Sequence, residues 1–314
     1  METFATEQNV LVKSTDNFIY KFNKIKRLVL TTLNPVIPAF EESGMVLNRT
    51  DSKTIQQKHN EVNDSIKYAK RIQDAMMLKE RHLFKIFPES FIFNKPKDIV
   101  SGDFYWFTRI NNKIIIAVAD CTGHGIPGAF MSVLGVNLLN QIIIEEQNTN
   151  PSSILQRLNY KVKKAFANAN DQGENEKYND GMDISLCCID YELKTVDFSG
   201  AFRPVYHLEN NKLHEYKGAR FPIGELDVEK ESTYESKKFS FKTGDKLYLF
   251  SDGFADQFGG VKEKKMLSKK FREILVKINR LSLQTQKLEL ERILKEWSGN
   301  IEQTDDILVL GLKL

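Results

Sequence analysis

The chain has 314 residues, of which 41% are hydrophobic and 28% are charged, and its formal net charge is +3. This composition is typical of a globular protein that can bury a core, and it excludes collagen-like, disulfide-scaffold and wholly disordered chains. Residues 91–314 carry 31 basic and 31 acidic side chains. Such a balance leaves no basic surface for a nucleic-acid backbone, so we predict no nucleic-acid partner.

The cysteines and the N-terminus indicate the compartment. The chain has three cysteines, Cys121, Cys187 and Cys188, an odd number with two of them adjacent. Because this pattern does not make a disulfide framework, it favours a reducing compartment. Residues 1–10 lack the basic-then-apolar pattern of a secretion signal. The apolar stretch 28–40 contains two prolines and is shorter than the roughly 20 residues that a membrane span needs. We predict a cytoplasmic protein without a membrane span.

The first 90 residues contain two predicted segments. Residues 1–50 give a poorly defined N-terminal segment. Residues 51–90 are predicted to be a helical linker, because apolar residues recur every seven positions from Ile55 to Leu83 and no Gly or Pro occurs before Pro88. This pattern predicts one helix over 54–87. Its second seam, which includes Gln73, is only partly apolar, so a helix that dimerises with a second copy and a helix that lies on its own domain are both consistent with it.

From residue 91 the pattern alternates between strands and helices. Aromatic and β-branched runs predict strands over 91–94, 104–110, 113–119, 184–190, 195–199, 204–208, 213–216, 246–250 and 307–312. Helical spacing predicts helices over 128–144, 151–169, 264–278 and 282–297. Because pairs of helices separate blocks of strands, the order favours an α+β layered sandwich over a βαβ repeat.

Four aspartates share one local context, at the mouth of an apolar strand or in the turn beside it. They are Asp103 in Ser-Gly-Asp-Phe-Tyr-Trp, Asp120 in Ala-Val-Ala-Asp-Cys-Thr-Gly-His-Gly, Asp252 in Leu-Phe-Ser-Asp-Gly and Asp305 in Thr-Asp-Asp-Ile-Leu-Val-Leu. A carboxylate at such a place is costly unless it is paired or binds a metal, although a single Asp there is commonly a turn former. Four of them favour a shared cluster. Several carboxylates with few histidines favour Mg²⁺ or Mn²⁺ over Zn²⁺.

The ordered motifs resemble a known family. They are Lys95-Pro96-x-x-x-Val100-Ser101-Gly102-Asp103, Ala119-Asp120-x-x-Gly123-His124-Gly125, Ser251-Asp252-Gly253 and Asp305-Asp306-Ile307. Each motif alone is weak, but the ordered set is similar to the metal-dependent protein phosphatases of type 2C (PPM). It looks most like their bacterial branch, which contains the stage II sporulation phosphatase and the phosphatases that regulate stress sigma factors. The resemblance implies a PPM-type domain over 91–314, built as a four-layer α-β-β-α sandwich of two antiparallel sheets flanked by helices.

The same resemblance implies a centre of two Mn²⁺ or Mg²⁺ ions. Asp120 would bridge both ions, and the backbone carbonyl of Cys121 would hold one of them. Asp103 would act partly through water, and Asp252 and Asp305 would complete the shell of the second ion. Two dications about 3.5–4 Å apart activate a bridging water and stabilise an in-line displacement. Since no thiol nucleophile is required, the three cysteines are predicted to be small buried residues.

Other candidates for the site have two interpretations each. His124 could protonate the leaving oxygen, or it could have a packing or outer-shell role, because its spacing after the bridging aspartate differs from that of the eukaryotic branch. Lys95, Lys97 and Arg203 are candidates for holding the substrate phosphate, with simple surface solvation as the alternative. Asp183 either contributes to a third metal position or caps the turn before its strand.

The resemblance therefore predicts a metal-dependent phosphoprotein phosphatase. It would hydrolyse phosphoserine or phosphothreonine by attack of a metal-bridging water, in a bacterial regulatory circuit. The implied partner is a phosphoprotein substrate such as an anti-sigma-antagonist-like protein, and the helix over 54–87 would position the domain or form a homodimer. The alternative is a catalytically silent phosphatase-fold scaffold or phosphoprotein-binding module, against which the four retained aspartates argue.

Overall fold

The computed structural model describes residues 49–123, 125–170, 180–224 and 233–314. The predicted segment 1–50 lies outside the described residues except for its last two positions, and His124 also lies outside them.

The described residues form helices and strands in the order that follows. The helices are α1 (Arg49–Met76), α2 (Glu80–Ile86), α3 (Ile126–Leu139), which continues as a π-helical segment (Asn140–Glu145), α4 (Pro151–Asn170), α5 (Gly253–Asp256), α6 (Leu267–Ile278) and α7 (Leu283–Ser298). The strands are β1 (Ser90–Lys95), β2 (Phe104–Ile110), β3 (Lys113–Cys121), β4 (Met182–Asp190), β5 (Thr195–Ala201), β6 (Val205–Glu209), β7 (Lys212–Tyr216), β8 (Lys237–Ser240), β9 (Lys246–Phe250), β10 (Phe258–Gly259), β11 (Lys264–Lys265) and β12 (Ile307–Lys313).

Two five-stranded sheets make the centre of the fold. One has the strand order β1-β12-β9-β6-β7 and the other the order β2-β3-β4-β5-β8, and all pairs within them are antiparallel. One apolar core fills the space between the sheets. A second core lies between the sheet that contains β3 and helices α3 and α4, and a third lies under α6 and α7. The predicted four-layer α-β-β-α sandwich is confirmed.

Strand β3 shows why the sequence builds this arrangement. Its residues Ile114 to Ala119 are all buried, because a central strand has a core on both faces. Side chains alternate along a strand, so Ile115 and Ala117 enter the core under the helices, while Ile116 and Val118 enter the core between the sheets. The apolar run therefore ends with Asp120 at the edge of two cores.

The prediction of one helix over 54–87 is wrong in its continuity. Helix α1 ends at Met76, and α2 begins at Glu80 after a short break. Met77 and Leu78 pack against the cores in this break, and the Tyr105 hydroxyl donates a hydrogen bond of 2.7 Å to the Leu78 carbonyl. That carbonyl is satisfied by the β-sheet rather than by a helical turn, so tertiary contacts break the helix without Gly or Pro.

Other boundaries differ by a few residues from the predicted ones. The helix predicted over 264–278 begins at Leu267, because Lys264–Lys265 pairs with β10 as a short hairpin strand. Strand β8 was not predicted; it pairs with the edge of β5. The continuous helical stretch Ile126–Glu145 is long and apolar enough to cross a membrane by length and composition alone, but 67% of its apolar 18-residue window is buried inside the protein.

Candidate metal centre

The four predicted aspartates, called the acidic cluster below, lie at one end of the sandwich. Asp103 directly precedes β2, and Asp120 is the penultimate residue of β3. Strands β2 and β3 are adjacent in one sheet. Asp252 lies in the turn after β9, and Asp305 lies two residues before β12. Strands β9 and β12 are adjacent in the other sheet. Because β3 contacts β9 across the sandwich, two carboxylates from each sheet face the same region.

The acidic cluster is electrostatically coupled. Burial raises the pKa of Asp103 well above its usual value, the nearby Ser251 side chain lowers it, and repulsion by Asp306, Asp305 and Asp252 raises it further. Burial likewise raises the pKa of Asp120, and Asp103 and Asp252 add to the effect. Like charges held this close disfavour full ionisation. The cluster therefore needs either protons or cations in its midst.

Asp103 carries the clearest sign of an absent partner. Asp103 is 4% exposed, and its Oδ2 atom is buried with no hydrogen-bond partner among the residues that the structure describes. A buried carboxylate oxygen without a partner is costly, and a hard cation would satisfy it. Carboxylate oxygens are also the ligands that Mg²⁺ and Mn²⁺ prefer. The chemistry of the donors therefore fits divalent ions, although no group of three or more His, Cys, Asp or Glu side chains within the described ranges is already arranged to hold one.

The two adjacent aspartates before β12 differ in what they contact. Asp305 is partly buried; burial raises its pKa, a hydrogen bond from the Asp306 backbone lowers it, and repulsion by Asp252 raises it again. Asp306 is buried, and its two carboxylate oxygens accept hydrogen bonds of 2.7 Å from the backbone amides of Lys97 and Gly102. Asp306 thus fixes the loop that carries Asp103. No local pattern indicates this role, because it depends on contacts with residues 209 and 204 positions away along the chain.

Glycines allow the loops of the centre to touch backbone to backbone. A Cβ atom at Gly128 would lie 2.2 Å from the carbonyl oxygen of Gly123, and one at Gly253 would lie 2.0 Å from that of Asp306. Neither position can accept a side chain without movement of the backbone. The close approach of the backbones at Gly128 and Gly253 is therefore a property of the fold.

Arg203 lies inside the acidic end of the sandwich. Its Nε and Nη2 atoms donate hydrogen bonds of 3.1 and 2.7 Å to Oδ2 of Asp183, and Nη2 also donates one of 2.9 Å to Oδ2 of Asp252. Asp183 stands directly opposite Asp120 in the β3–β4 register. Two like charges at such a position destabilise a sheet, so the guanidinium offsets their repulsion.

The remaining predicted residues are two lysines at the rim of the cluster and three cysteines in the protein interior. Lys95 and Lys97 are exposed, and the charge of Lys97 lowers the pKa of Asp305. Cys121, Cys187 and Cys188 are free and buried, as predicted. Burial and then Asp120 raise the pKa of the Cys121 thiol well above its usual value, so this thiol stays protonated near neutral pH and is a poor nucleophile.

Gln73 is a buried residue of helix α1. The seven-residue pattern indicates only that it is a polar residue in a partly apolar seam. It is 3% exposed. Its Nε2 atom donates to the Ser101 carbonyl at 2.6 Å and to Ser132 Oγ at 2.9 Å, and its Oε1 atom accepts from the Ser101 amide at 3.2 Å. Helix α1 therefore holds the loop that leads into Asp103 through one side chain.

Comparison with solved structures defines the class. The PP2C domain of SiaA from Pseudomonas aeruginosa is similar over 82% of this chain and 98% of that domain, with a TM-score of 0.73 and 29% sequence identity. The PP2C phosphatase domain of SpoIIE from Bacillus subtilis, with a fragment of its regulatory domain, is similar over 72% of this chain and 63% of that one, with a TM-score of 0.56 and 21% identity. The described domain has the PP2C phosphatase fold.

Comparison of sequences gives the family. The sequence model of the stage II sporulation protein E (SpoIIE) family matches residues 111–314, well over half of the chain, and the chain belongs to this family. The resemblance stated from the motifs is confirmed. A curated relative, the phosphoserine phosphatase RsbU of Bacillus subtilis (strain 168), is 25% identical over 167 residues. This match covers 51% of the present chain and only 44% of RsbU.

Proposed function

We propose that the chain is a metal-dependent protein phosphatase that hydrolyses phosphoserine and phosphothreonine. The observation that carries this proposal is the acidic cluster at one end of a PP2C fold, in which the buried Oδ2 of Asp103 has no partner within the described part of the chain. The relative RsbU is named a phosphoserine phosphatase, and the SiaA domain is a PP2C domain, which supports the same chemistry here.

Two Mn²⁺ or Mg²⁺ ions would be held by the acidic cluster and by the backbone carbonyl of Cys121. When bound, such a pair supplies an activated bridging water and neutralises the charge of the phosphate in an in-line displacement. The chain's own residues hold the centre together. Asp306 and Gln73 fix the loop before Asp103 through its backbone, and the glycines keep the neighbouring loops in contact.

Positive side chains at the rim suit a phosphorylated protein as substrate. Lys95 and Lys97 are exposed beside the cluster, and Arg203 has further N–H donors besides those that contact Asp183 and Asp252. We assign the phosphate-holding role to these three residues. The proposed setting is a bacterial regulatory circuit in the cytoplasm, with an anti-sigma-antagonist-like phosphoprotein as substrate and no membrane span, since the apolar stretch Ile126–Glu145 is mostly buried.

The linker helix is proposed to regulate the phosphatase domain over 91–314. Gln73 joins helix α1 to the loop that leads into Asp103, so a movement of the helix changes the position of Asp103. The outer face of α1 exposes Tyr68 by 64% and Ile72 by 46%. These residues are one turn apart on the same face, and a second copy of the helix would cover both. We therefore include a homodimer through this helix in the proposal.

Hydrolysis of p-nitrophenyl phosphate and of a phosphoserine peptide tests the activity. We expect a Mn²⁺-dependent rate for the full chain and a loss of at least about a hundredfold in Asp120→Asn, because charge stabilisation at a reacting centre is worth several kcal/mol. Asp197→Asn is a matched control, because Asp197 pairs with Lys238 on the other end of the sheet that contains β5. Equal rates for Asp120→Asn and the wild type would favour the scaffold alternative instead.

A further inference from the structure

Arg203 is held firmly at the acidic end of the sandwich. It lies between β5 and β6, and its side chain is 16% exposed. Phe202, the preceding residue, has a φ of 54°, and its amide donates a hydrogen bond of 2.8 Å to the Ala219 carbonyl. A positive φ at a bulky residue is uncommon and persists only where surrounding contacts enforce it. The loop is therefore shaped to direct Arg203 to one place.

The guanidinium contacts carboxylates that come from both sheets. Asp183 on β4 receives two of its donors, and Asp252 after β9 receives the third contact. Asp120 also attracts the same charge. An arginine stays protonated at any working pH, so the guanidinium leaves Asp252 only if it moves, and not by losing a proton.

A cation that binds Asp252 must compete with this contact. Oδ2 of Asp252 accepts the Arg203 hydrogen bond at 2.9 Å, and the same carboxylate belongs to the acidic cluster that would hold the second divalent ion. A divalent ion that took this oxygen as a ligand would lie about 2.0–2.1 Å from it and would repel the guanidinium hydrogen-bonded to the same carboxylate, so the two positive charges compete for Asp252. Asp183 in contrast can keep Arg203 through its two hydrogen bonds while Asp252 is released.

We propose that Arg203, positioned by Asp183, is a built-in counter-cation that competes with a divalent ion for Asp252 and so sets the metal affinity of the site. The inference rests on the proposed function only for the identity of the site. Arg203 neutralises the carboxylates while no divalent ion is bound. It is a positioning and affinity-setting residue, in addition to its proposed contact with phosphate.

Metal binding by the full chain tests the inference without an activity assay. The probe is Mn²⁺ alone, titrated calorimetrically into protein that has been stripped with a chelator. We expect Arg203→Gln to bind Mn²⁺ about tenfold or more tightly than the wild type, the effect of one charge-assisted hydrogen bond. The same variant should melt at a lower temperature than the wild type in chelator, because its carboxylates lose their counter-charge, and this deficit should shrink in saturating Mn²⁺.

Two further variants separate this competition from other effects. Arg157→Gln removes the same charge from the Arg157–Glu146 ion pair, which involves none of the cluster, and should leave Mn²⁺ affinity unchanged. Asp183→Asn should weaken Mn²⁺ binding in the wild-type background and have at most a small effect in the Arg203→Gln background. If Asp183 were itself a metal ligand, Asp183→Asn would instead reduce binding in both backgrounds, and the inference would be wrong for Asp183.

The outcomes distinguish this inference from the proposed function. A wild type that binds Mn²⁺ together with an Arg203→Gln variant of equal or weaker affinity would overturn the competition and leave the phosphatase proposal standing. A wild type that binds no Mn²⁺ would overturn both.

Discussion

The substitution Gln73→Leu tests whether helix α1 stabilises the loop that leads into Asp103. The change keeps a side chain of similar size in a buried position but removes three hydrogen bonds to Ser101 and Ser132. The Ser101 carbonyl retains the Ser132 hydroxyl at 3.2 Å, whereas the buried Ser101 amide loses its acceptor. Leaving one such donor unpaired costs about 1–3 kcal/mol, so we expect the free energy of unfolding to fall by about that amount.

The same substitution should also weaken metal binding. Ser101 is followed directly by Gly102, whose amide donates to Asp306, and by Asp103. When the loop is no longer fixed at Ser101, part of the free energy of metal binding is used to order it. A cost of about 1.4 kcal/mol corresponds to a tenfold loss of affinity, and we expect a loss of that order for Mn²⁺.

Chemical denaturation and calorimetric titration with Mn²⁺ measure the two effects. Gln57→Leu is the matched control, because Gln57 lies exposed on the same helix and hydrogen-bonds Glu61 within it. We expect this control to change neither quantity. The coupling of the helix to Asp103 would be refuted by a Gln73→Leu variant whose free energy of unfolding lay within about 0.5 kcal/mol of the wild-type value and which bound Mn²⁺ equally well.

Three further predictions concern packing, protonation and assembly. Gly128→Ala should lower the free energy of unfolding by about 1–3 kcal/mol, because its Cβ would lie 2.2 Å from the Gly123 carbonyl oxygen; an unchanged thermal midpoint would show that the loops can separate. Burial and neighbouring carboxylates raise the pKa of Asp103 above its usual 3.8, so the folded state binds this proton more tightly than the unfolded chain. The free energy of unfolding in chelator should therefore fall as the pH rises from 3.8 through the raised pKa, and Asp103→Asn should flatten this dependence; equal slopes in both proteins would contradict the assignment. Tyr68→Glu with Ile72→Glu should convert the proposed homodimer to a monomer in light scattering, and an unchanged mass would reject the helix as the dimer contact.

Several features of the site could be predicted from the sequence because they depend on neighbouring residues. The apolar run of β3, which ends in Asp120, predicts a buried strand with a carboxylate at its end. The apolar run of β9 followed by a Ser-Asp-Gly turn likewise predicts a buried strand with the carboxylate of Asp252 at its end. In each case the hydrophobic pattern and the turn residues lie within a few positions of the functional side chain.

Other features of the site required contacts between distant segments. The break after Met76 depends on the contact of the Leu78 carbonyl with Tyr105, and no helix-breaking residue marks it in the sequence. Asp306 would be interchangeable with Asp305 on local grounds, yet it binds two backbone amides about 200 residues away.

Most strands and helices of the domain, and the positions of four acidic side chains at strand ends, could be predicted from the sequence, because periodicity and turn chemistry act over short distances. Which charges meet depends on contacts between the two sheets. Arg203 and Asp252 are 49 positions apart, and they come together only because the two sheets stack and place the loop after β5 beside the turn after β9. Electrostatic energy depends on distance in space, and the stacking of the sheets sets that distance.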